Sequence, residues 1–452
     1  MPHERTGTAD DLCSHRAASP LQRPSASRAD VIVVGGGPAG SSSAWHLSRL
    51  GLRVLLVDKA RFPRAKACAE YLSPEANRIM GEMGALEPVL AAGAAGLRGM
   101  RIRSPDGTWL HGEFATTGSS DGRDRGLAIR RHLLDTILLE RAALAGATIR
   151  QGLRVTGLVR DANGRVHGVE VLDESGAARV LHAPLVIGAD GLRSVVSRRL
   201  NLAHRSRMPH RLAFVGHFRG VAGIGRSGEM HVEHDGFIGM ANVGSGVSNA
   251  ALVVPAEQAR AAIGDPAGFL ESWIGRHPHL ETRFRNAERI GDVLTTGPFA
   301  SHARSAWAPG AALVGDAADY FDPFTGEGIW SALRGGELLA PYAHAAWRAA
   351  ARGRHRQADA ALRAYSRARR REFMGRWIVE RLIAGTVATP FLMNRAAAAL
   401  ARRKDMADLL VGVTGDTVPA SAVLTPAFLV RLAWGRGRHR RSEAGGRAWE
   451  DG

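Results

Sequence analysis

Apolar residues form short unbroken runs early in the chain, alternate with polar ones in its middle and recur at helical spacing toward its end. The first run, Ala29 to Gly37, ends in glycines. A helix-patterned stretch follows to about Leu50, then a second run, Arg53 to Val57, closed by Asp58. Strand, helix, strand in that order predicts a parallel βαβ unit. Arg130 to Ala145 carries apolar residues at helical spacing. Thr148 to Leu172 alternates around Asn163-Gly164, a dipeptide that favours a tight type I′ hairpin turn. Leu185 to Ala189 and Ala311 to Val314 repeat the short buried-strand type. Between about 206 and 289 the pattern changes to strand-like runs at 211–219, 228–234 and 247–254, then helical stretches from about 256, which predict a separate sheet. From Glu327 to about 413 the chain is helical, rich in Ala and Arg.

At 452 residues the chain has room for two domains. A hydrophobic fraction of 45% with 23% charged residues is that of an ordinary globular protein. The net charge of +17 points first to an acidic partner. Yet of the 60 Lys and Arg only Lys59, Lys66 and Lys404 are lysine, and the arginines are dense only at 350–372 and 431–441. That distribution fits a GC-rich genome, and no nucleic-acid partner is expected. Two cysteines, Cys13 and Cys68, imply no disulfide framework and fit a reduced, cytoplasmic setting. Residues 1–28 lack the apolar core of a signal peptide and read as a disordered leader. No apolar run reaches the ~18 residues of a membrane span. Leu382 to Met393, interrupted by Gly385, Thr386, Thr389 and Pro390, reads as a buried or interfacial segment. Phe428 to Trp434, followed by Arg436, Arg438, Arg440 and Arg441, reads as a packed cap helix with a basic tail. Peripheral membrane contact is the less favoured reading of both.

Gly35-x-Gly37-x-x-Gly40 follows an apolar strand and opens a helix, and Asp58 ends the next strand 18 residues beyond Gly40. In that context the motif is a dinucleotide turn. Gly35 permits the tight turn, Gly37 lets the backbone approach a pyrophosphate, Gly40 lets helix and strand pack closely, and Asp58 can accept from ribose hydroxyls. No second such unit exists, so one dinucleotide has a dedicated site and any NAD(P)H visits transiently. Asp190-Gly191 and Gly315-Asp316 place two further carboxylates at strand ends. With Asp58 they could form a metal cluster, but no ligand-spaced His or acid accompanies 58 or 190; sugar and ribityl hydroxyls explain them better, and no metal is expected. His231 and His234 read as an exposed strand face.

Gly35-x-Gly37-x-x-Gly40, then Ala189-Asp190-Gly191-x-x-Ser194, then Gly315-Asp316 with Pro323-x-x-Gly326-x-Gly328 resemble, in this order, the FAD-dependent aromatic-hydroxylase-like superfamily of group A flavin monooxygenases. Phe62-Pro63-Arg64-x-Lys66-x-Cys68-x-Glu70, Arg131-x-x-Leu134-Asp135 and Thr325-Gly326-Glu327-Gly328-Ile329 are most similar to its geranylgeranyl reductase branch. The resemblance runs from about 29 to 340, and more loosely to about 430. It implies FAD with Ala39 and Asp58 at pyrophosphate and ribose, Cys68, Ala69 and Tyr71 along the flavin, Arg131 at the phosphates and Val155 at the adenine, with Lys66 a further cofactor-binding candidate. It also implies Asp316 at the ribityl–phosphate arm, Gly328 and Ile329 at the flavin's pyrimidine edge, and Asp190 supporting the cofactor side.

The expected fold is α/β. A discontinuous Rossmann-like FAD-binding domain of the glutathione-reductase type takes 29–75, 125–205 and 290–345. An inserted, mostly β substrate domain takes 76–124 and 206–289. A C-terminal helical region, 346–435, and a polar tail, 436–452, follow the domains, as the leader precedes them. Phe214, Phe218, Phe237 and Met240, with Asp319 and Pro323, are candidates to face a bulky apolar substrate. Prenyl reductases of this branch usually carry Tyr-x-Trp-x-Phe-Pro where this chain has Gly236 to Val243, and no two Trp stand two apart as in flavin halogenases. The leading expectation is therefore an NAD(P)H-driven hydroxylase of secondary metabolism. A double-bond reductase or dehydrogenase on an isoprenoid or quinone is the alternative, and a non-redox use of FAD, in a binding protein or cyclase, the third. Catalytic residues are not assigned.

Overall fold

The computed structural model describes residues 29–114, 125–205, 210–299, 301–320 and 322–433. The leader 1–28 with Cys13, the tail 436–452 and Trp434 lie outside them.

Val31–Val34 is fully apolar and buried, as a strand covered on both faces must be. It pairs in parallel with Val54–Asp58 on one side and Leu185–Gly188 on the other. Thr148–Gln151 and Ala311–Leu313 extend the parallel sheet outward, and Trp307–Ala308 closes one edge antiparallel. The Pro38–Arg49 helix, opened by a proline at its first turn, crosses this sheet and packs on the long Gly328–Ala350 helix. The two approach so closely that a Cβ on Gly336 would lie 2.6 Å from Ser42 Oγ and the Ser43 amide. Ser42 Oγ donates to the Leu333 carbonyl at 2.7 Å across the same seam.

Arg154–Arg160, Val166–Leu172 and Ala178–His182 form a three-stranded antiparallel sheet beside the main one. Its first turn differs from the expected type I′. Asp161 and Arg165 pair across a longer loop, Gly164 alone has positive φ (76°), and Gly164 N donates to the Asp161 carbonyl. This is a type I turn closed by a left-handed glycine, and Asp161 Oδ1 holds it by accepting from Asn163 N and Arg165 N at 2.9 Å.

The second large sheet has seven strands in the spatial order Glu288–Thr296, Arg211–Arg219, Val247–Pro255, Gly236–Asn242, Ser227–Glu233, Gly99–Arg103 and Trp109–Glu113. Glu288–Thr296 forms an edge strand just beyond the helical stretches read from the sequence. On its outer face, Phe214, Phe218 and Leu252 pack against Leu270 and Trp273 of the Pro266–Gly275 helix and Leu280 of the Pro278–Phe284 helix. Its inner face carries Val215, Phe237, Ala251 and Val253. His231, read as exposed, is buried: its strand position faces Trp109, His279 and Arg283, and its Nε2 lies 3.2 Å from Glu229 Oε2. His234 is exposed.

His355–Val387, Pro390–Ala401, Lys404–Thr414 and Pro426–Ala433 complete the helical region. The Leu382 to Met393 segment is a corner: one helix ends at Val387 and Pro390 opens the next. Among the described residues no helix is long and apolar enough to cross a membrane. Tyr365, fully buried on the 33-residue helix, donates its hydroxyl to the Leu313 carbonyl at 2.9 Å and so ties the helical region to the main sheet. Tyr365→Phe leaves that carbonyl short of a donor and is expected to lower unfolding stability by about 1–2 kcal/mol in urea titrations. An unchanged midpoint would show the tie to be dispensable.

Candidate cofactor and substrate site

Gly35 stands at φ 104°, open to glycine and strained for other residues, and a Cβ there would lie 2.5 Å from the Ala189 carbonyl oxygen. At Gly40 a Cβ would meet the Gly35 carbonyl at 1.8 Å, so the helix start is pressed directly onto the turn. Gly37 is different. Only Arg64 Nη2, at 3.5 Å, lies near the place of its missing side chain, which leaves the backbone open to a ligand. Asp58 locks the turn from the next strand: Oδ2 accepts from Gly36 N and Oδ1 from Ala60 N, both at 2.7 Å. It lines the cavity with lone pairs to spare, which leaves it able to accept from a hydroxyl as well.

Beside the turn lies a buried charge cluster. Arg131 grips Asp135 through Nε and Nη2 at 2.8 Å each, and Arg64 Nη2 reaches the same carboxylate at 3.2 Å. Burial works against the Arg131 charge, and Asp135 more than restores it. Lys66 is pushed below the usual lysine range by burial and then by Arg131. Burial pushes Asp316 up, opposed by the Lys66 and Arg131 charges. Arg64, Lys66 and Arg131 thus gather with Asp135 and Asp316 next to the open backbone at Gly37, and their N–H groups are of the kind a pyrophosphate requires. Asp190 caps the Val195–Arg199 turn, Oδ2 accepting from Val195 N at 2.6 Å, while its buried Oδ1 has no hydrogen-bond partner. An orphaned acceptor, an open glycine and three cationic side chains beside it together fit FAD.

Cys68, Ala69 and Tyr71 form a strip along the cavity. What fixes the strip is Glu70, whose φ of 62° is left-handed and turns its buried side chain away from its neighbours' direction. Oε1 accepts from Arg131 N at 2.8 Å, and Oε2 meets His217 Nε2 at 2.8 Å and Asn249 Nδ2 at 3.1 Å. Asn249 Nδ2 also donates to the Cys68 carbonyl at 3.0 Å. Glu70 figured in the sequence only as part of a motif, and His217 and Asn249 not at all. A polar residue at an inward position of an otherwise apolar strand was the only available signal.

The far side is built by the 315–329 stretch. Asp322 Oδ1 caps a short turn by accepting from Phe324 N, and its Oδ2 pairs with Arg211 at 2.9 Å. Gly326, at φ 74°, presses within 2.7 Å of Tyr71, measured from the place of its missing Cβ. Gly328 then begins the long helix. Glu327, just before it, is buried, and burial lifts its carboxyl to about 8. Arg376 lies 3.7 Å from Glu327 Oε2 and opposes the shift, but its closer ion-pair partner is Asp416. Burial therefore wins at Glu327.

These elements surround one cavity of about 790 Å³. Of the cofactor residues expected from the sequence, only Gly40 and Gly315 do not border it; both pack beneath, Gly315 against Ala39. Phe237 and Pro323 line it. Phe214 and Phe218 do not: strand alternation turns them to the outer face, against Phe269 and Phe284. Met240 borders the cavity from a strand position whose side chain packs on that same outer face. Asp319 lies off the cavity, paired with Arg369. Among the described residues no group of His, Cys, Asp and Glu is arranged to hold a metal.

The fold and site define a FAD-dependent oxidoreductase. Residues 28–375 match the FAD binding domain family. The chain is 30% identical over 325 residues to the digeranylgeranylglycerophospholipid reductase of Methanosarcina acetivorans, covering 70% of this chain and 75% of that one. It is 32% identical over 333 residues to the menaquinone reductase of Mycolicibacterium smegmatis, covering 69% and 76%. A flavin-dependent brominase structure superposes with a TM-score of 0.73 at 22% identity, over 89% of this chain and 99% of that one, a likeness of fold. The chain belongs to the FAD binding domain family, in its geranylgeranyl reductase-like branch.

Asp58→Ala removes the acceptor of two backbone amides at the turn. It is expected to weaken FAD binding about tenfold or more in fluorescence titrations, and undiminished affinity would contradict the anchoring role. Glu327 makes a pH prediction. Its folded value lies above the usual carboxylate value of 4.5, so ionisation in the unfolded chain erodes stability as pH rises from there toward 8. Glu327→Gln should therefore raise the melting temperature more at pH 8 than at pH 5, and an equal shift at both would count against the buried neutral acid.

Proposed function

We propose that the protein is a FAD-dependent reductase that saturates a carbon–carbon double bond in an isoprenoid-bearing molecule, with NAD(P)H as transient reductant. The observation that carries the reading is the cavity's substrate wall. Opposite the cofactor residues it is built from Ala213, Val215, Phe237, Ala251, Val253 and Phe299, all buried and apolar. Such a wall binds a hydrocarbon chain by desolvation, with Thr296 and Tyr320 as polar neighbours at its margin. The two relatives named above are called reductases of a digeranylgeranylglycerophospholipid and of menaquinone. They move the balance away from the hydroxylase expected first from the sequence.

Bound, reduced FAD supplies a hydride. The chain's own part is to hold the double bond against the flavin, exclude water and supply the accompanying proton. Tyr71 and Glu327 border the cavity, and burial raises both above their ordinary values, so both stay protonated at neutral pH. Helix N-terminal amides at Gly328 and Ile329 favour negative charge at the edge they face. The test is anaerobic incubation of the reduced holoenzyme with geranylgeranyl phospholipid or menaquinone, followed by mass spectrometry. The expected product has gained two hydrogens per bond. No such product, together with oxygen insertion under air with NAD(P)H, would overturn the reading in favour of a hydroxylase.

A further inference from the structure

The outer face of the His355–Val387 helix carries Arg367, Arg371, Met374, Ile378 and Leu382 at successive spacings of four, three, four and four, and all five are exposed. That spacing places them on one line along the helix. At the corner beyond it Phe391 is 71% exposed and Leu392 is exposed too. Large apolar side chains gathered in one place on a surface mark an interaction site. The inner side of the same corner is Ile383, Val387 and Met393, which pack with Phe237, Phe299 and Phe324 of the cavity wall. One helix corner therefore separates an exposed apolar patch from the apolar cavity.

We propose that this corner docks on the surface of an anionic lipid bilayer, with Leu382 and Phe391 entering the acyl boundary and Arg367 and Arg371 resting on the headgroups. Two features favour lipid as the occupant. The apolar part of the line continues into arginines, the sign that anionic headgroups attract, and the face is amphipathic along the helix as well as around it. The patch also backs directly onto the wall that holds an apolar substrate, so a molecule that lives in a bilayer need cross only one helix layer. That use rests on the isoprenoid reading; the docking itself stands on the patch and its charge.

The test is co-sedimentation of the FAD-loaded protein with sucrose-filled vesicles of phosphatidylglycerol and phosphatidylcholine, without substrate, so that its outcome is independent of the reaction catalysed. Wild-type protein should pellet with these vesicles and less with phosphatidylcholine alone. Leu382→Glu/Phe391→Glu should bind roughly tenfold more weakly while keeping its flavin absorbance, and Arg367→Gln/Arg371→Gln should lose the preference for anionic lipid. Should the glutamate pair lose flavin, Phe391→Ser, at the most exposed position, serves in its place with the same expectation. Wild-type protein left in the supernatant, or a patch variant that pellets equally well, would overturn the proposal. So would light scattering that shows a dimer which the patch variant makes monomeric, since the face would then belong to a second copy of the chain.

Discussion

The Glu70 carboxylate accepts from a backbone amide of the helix that carries Arg131, and it binds a histidine and an asparagine of the seven-stranded sheet. A buried carboxylate without partners would cost several kcal/mol. Here three groups from one helix and one sheet share the task of solvating it. The interaction is therefore also the joint between that helix and the seven-stranded sheet. It fixes the height of the Cys68–Tyr71 strip above the seven-stranded sheet, and Asn249 repeats the restraint through the Cys68 carbonyl. Gly326 then presses on Tyr71 from the opposite side. The width of the cavity follows from those two contacts.

The nucleotide half of the molecule was legible in the sequence because its constraints are local. Gly35, Gly37 and Gly40 are needed for reasons of backbone geometry within a few residues, and Asp58 follows at the end of the very next strand. The charge cluster was only half legible. Lys66, Arg131 and Asp316 were found one by one, but their dependence on Asp135 and on one another arises from folding three distant segments together. The substrate side was read least well. Phe214 and Phe218 looked like ligand contacts because they are large and apolar, and only pairing with Val247–Pro255 and covering by two helices decide which face of the strand is inward. Val215 and Val253, plainer residues, form the wall instead. His231 failed for a related reason: its cover comes from Trp109 and His279, far away in sequence.

Charge is handled in two opposite ways around the cavity. Near Gly37 three cationic groups, Arg64, Lys66 and Arg131, gather at the open backbone, where an anion adds a further partner. Near Gly328 a carboxyl avoids its charge altogether, because Arg376 is committed to Asp416 as well and burial decides the balance. One end of the cavity is thus prepared for a permanent anion. The other is kept neutral, where a nearby fixed negative charge would oppose electron-rich states of a bound ring.

The cavity is a single space bordered at once by the glycine turn and by the apolar strands. Among the described residues no protein layer divides it. A flavin bound in the first part would itself form the floor on which a second ligand rests. The shape that selects a substrate is then only partly encoded in the chain, the remainder being the face of the cofactor. Residues such as Tyr71 and Gly326 can therefore alter substrate choice without touching the substrate, by tilting that floor.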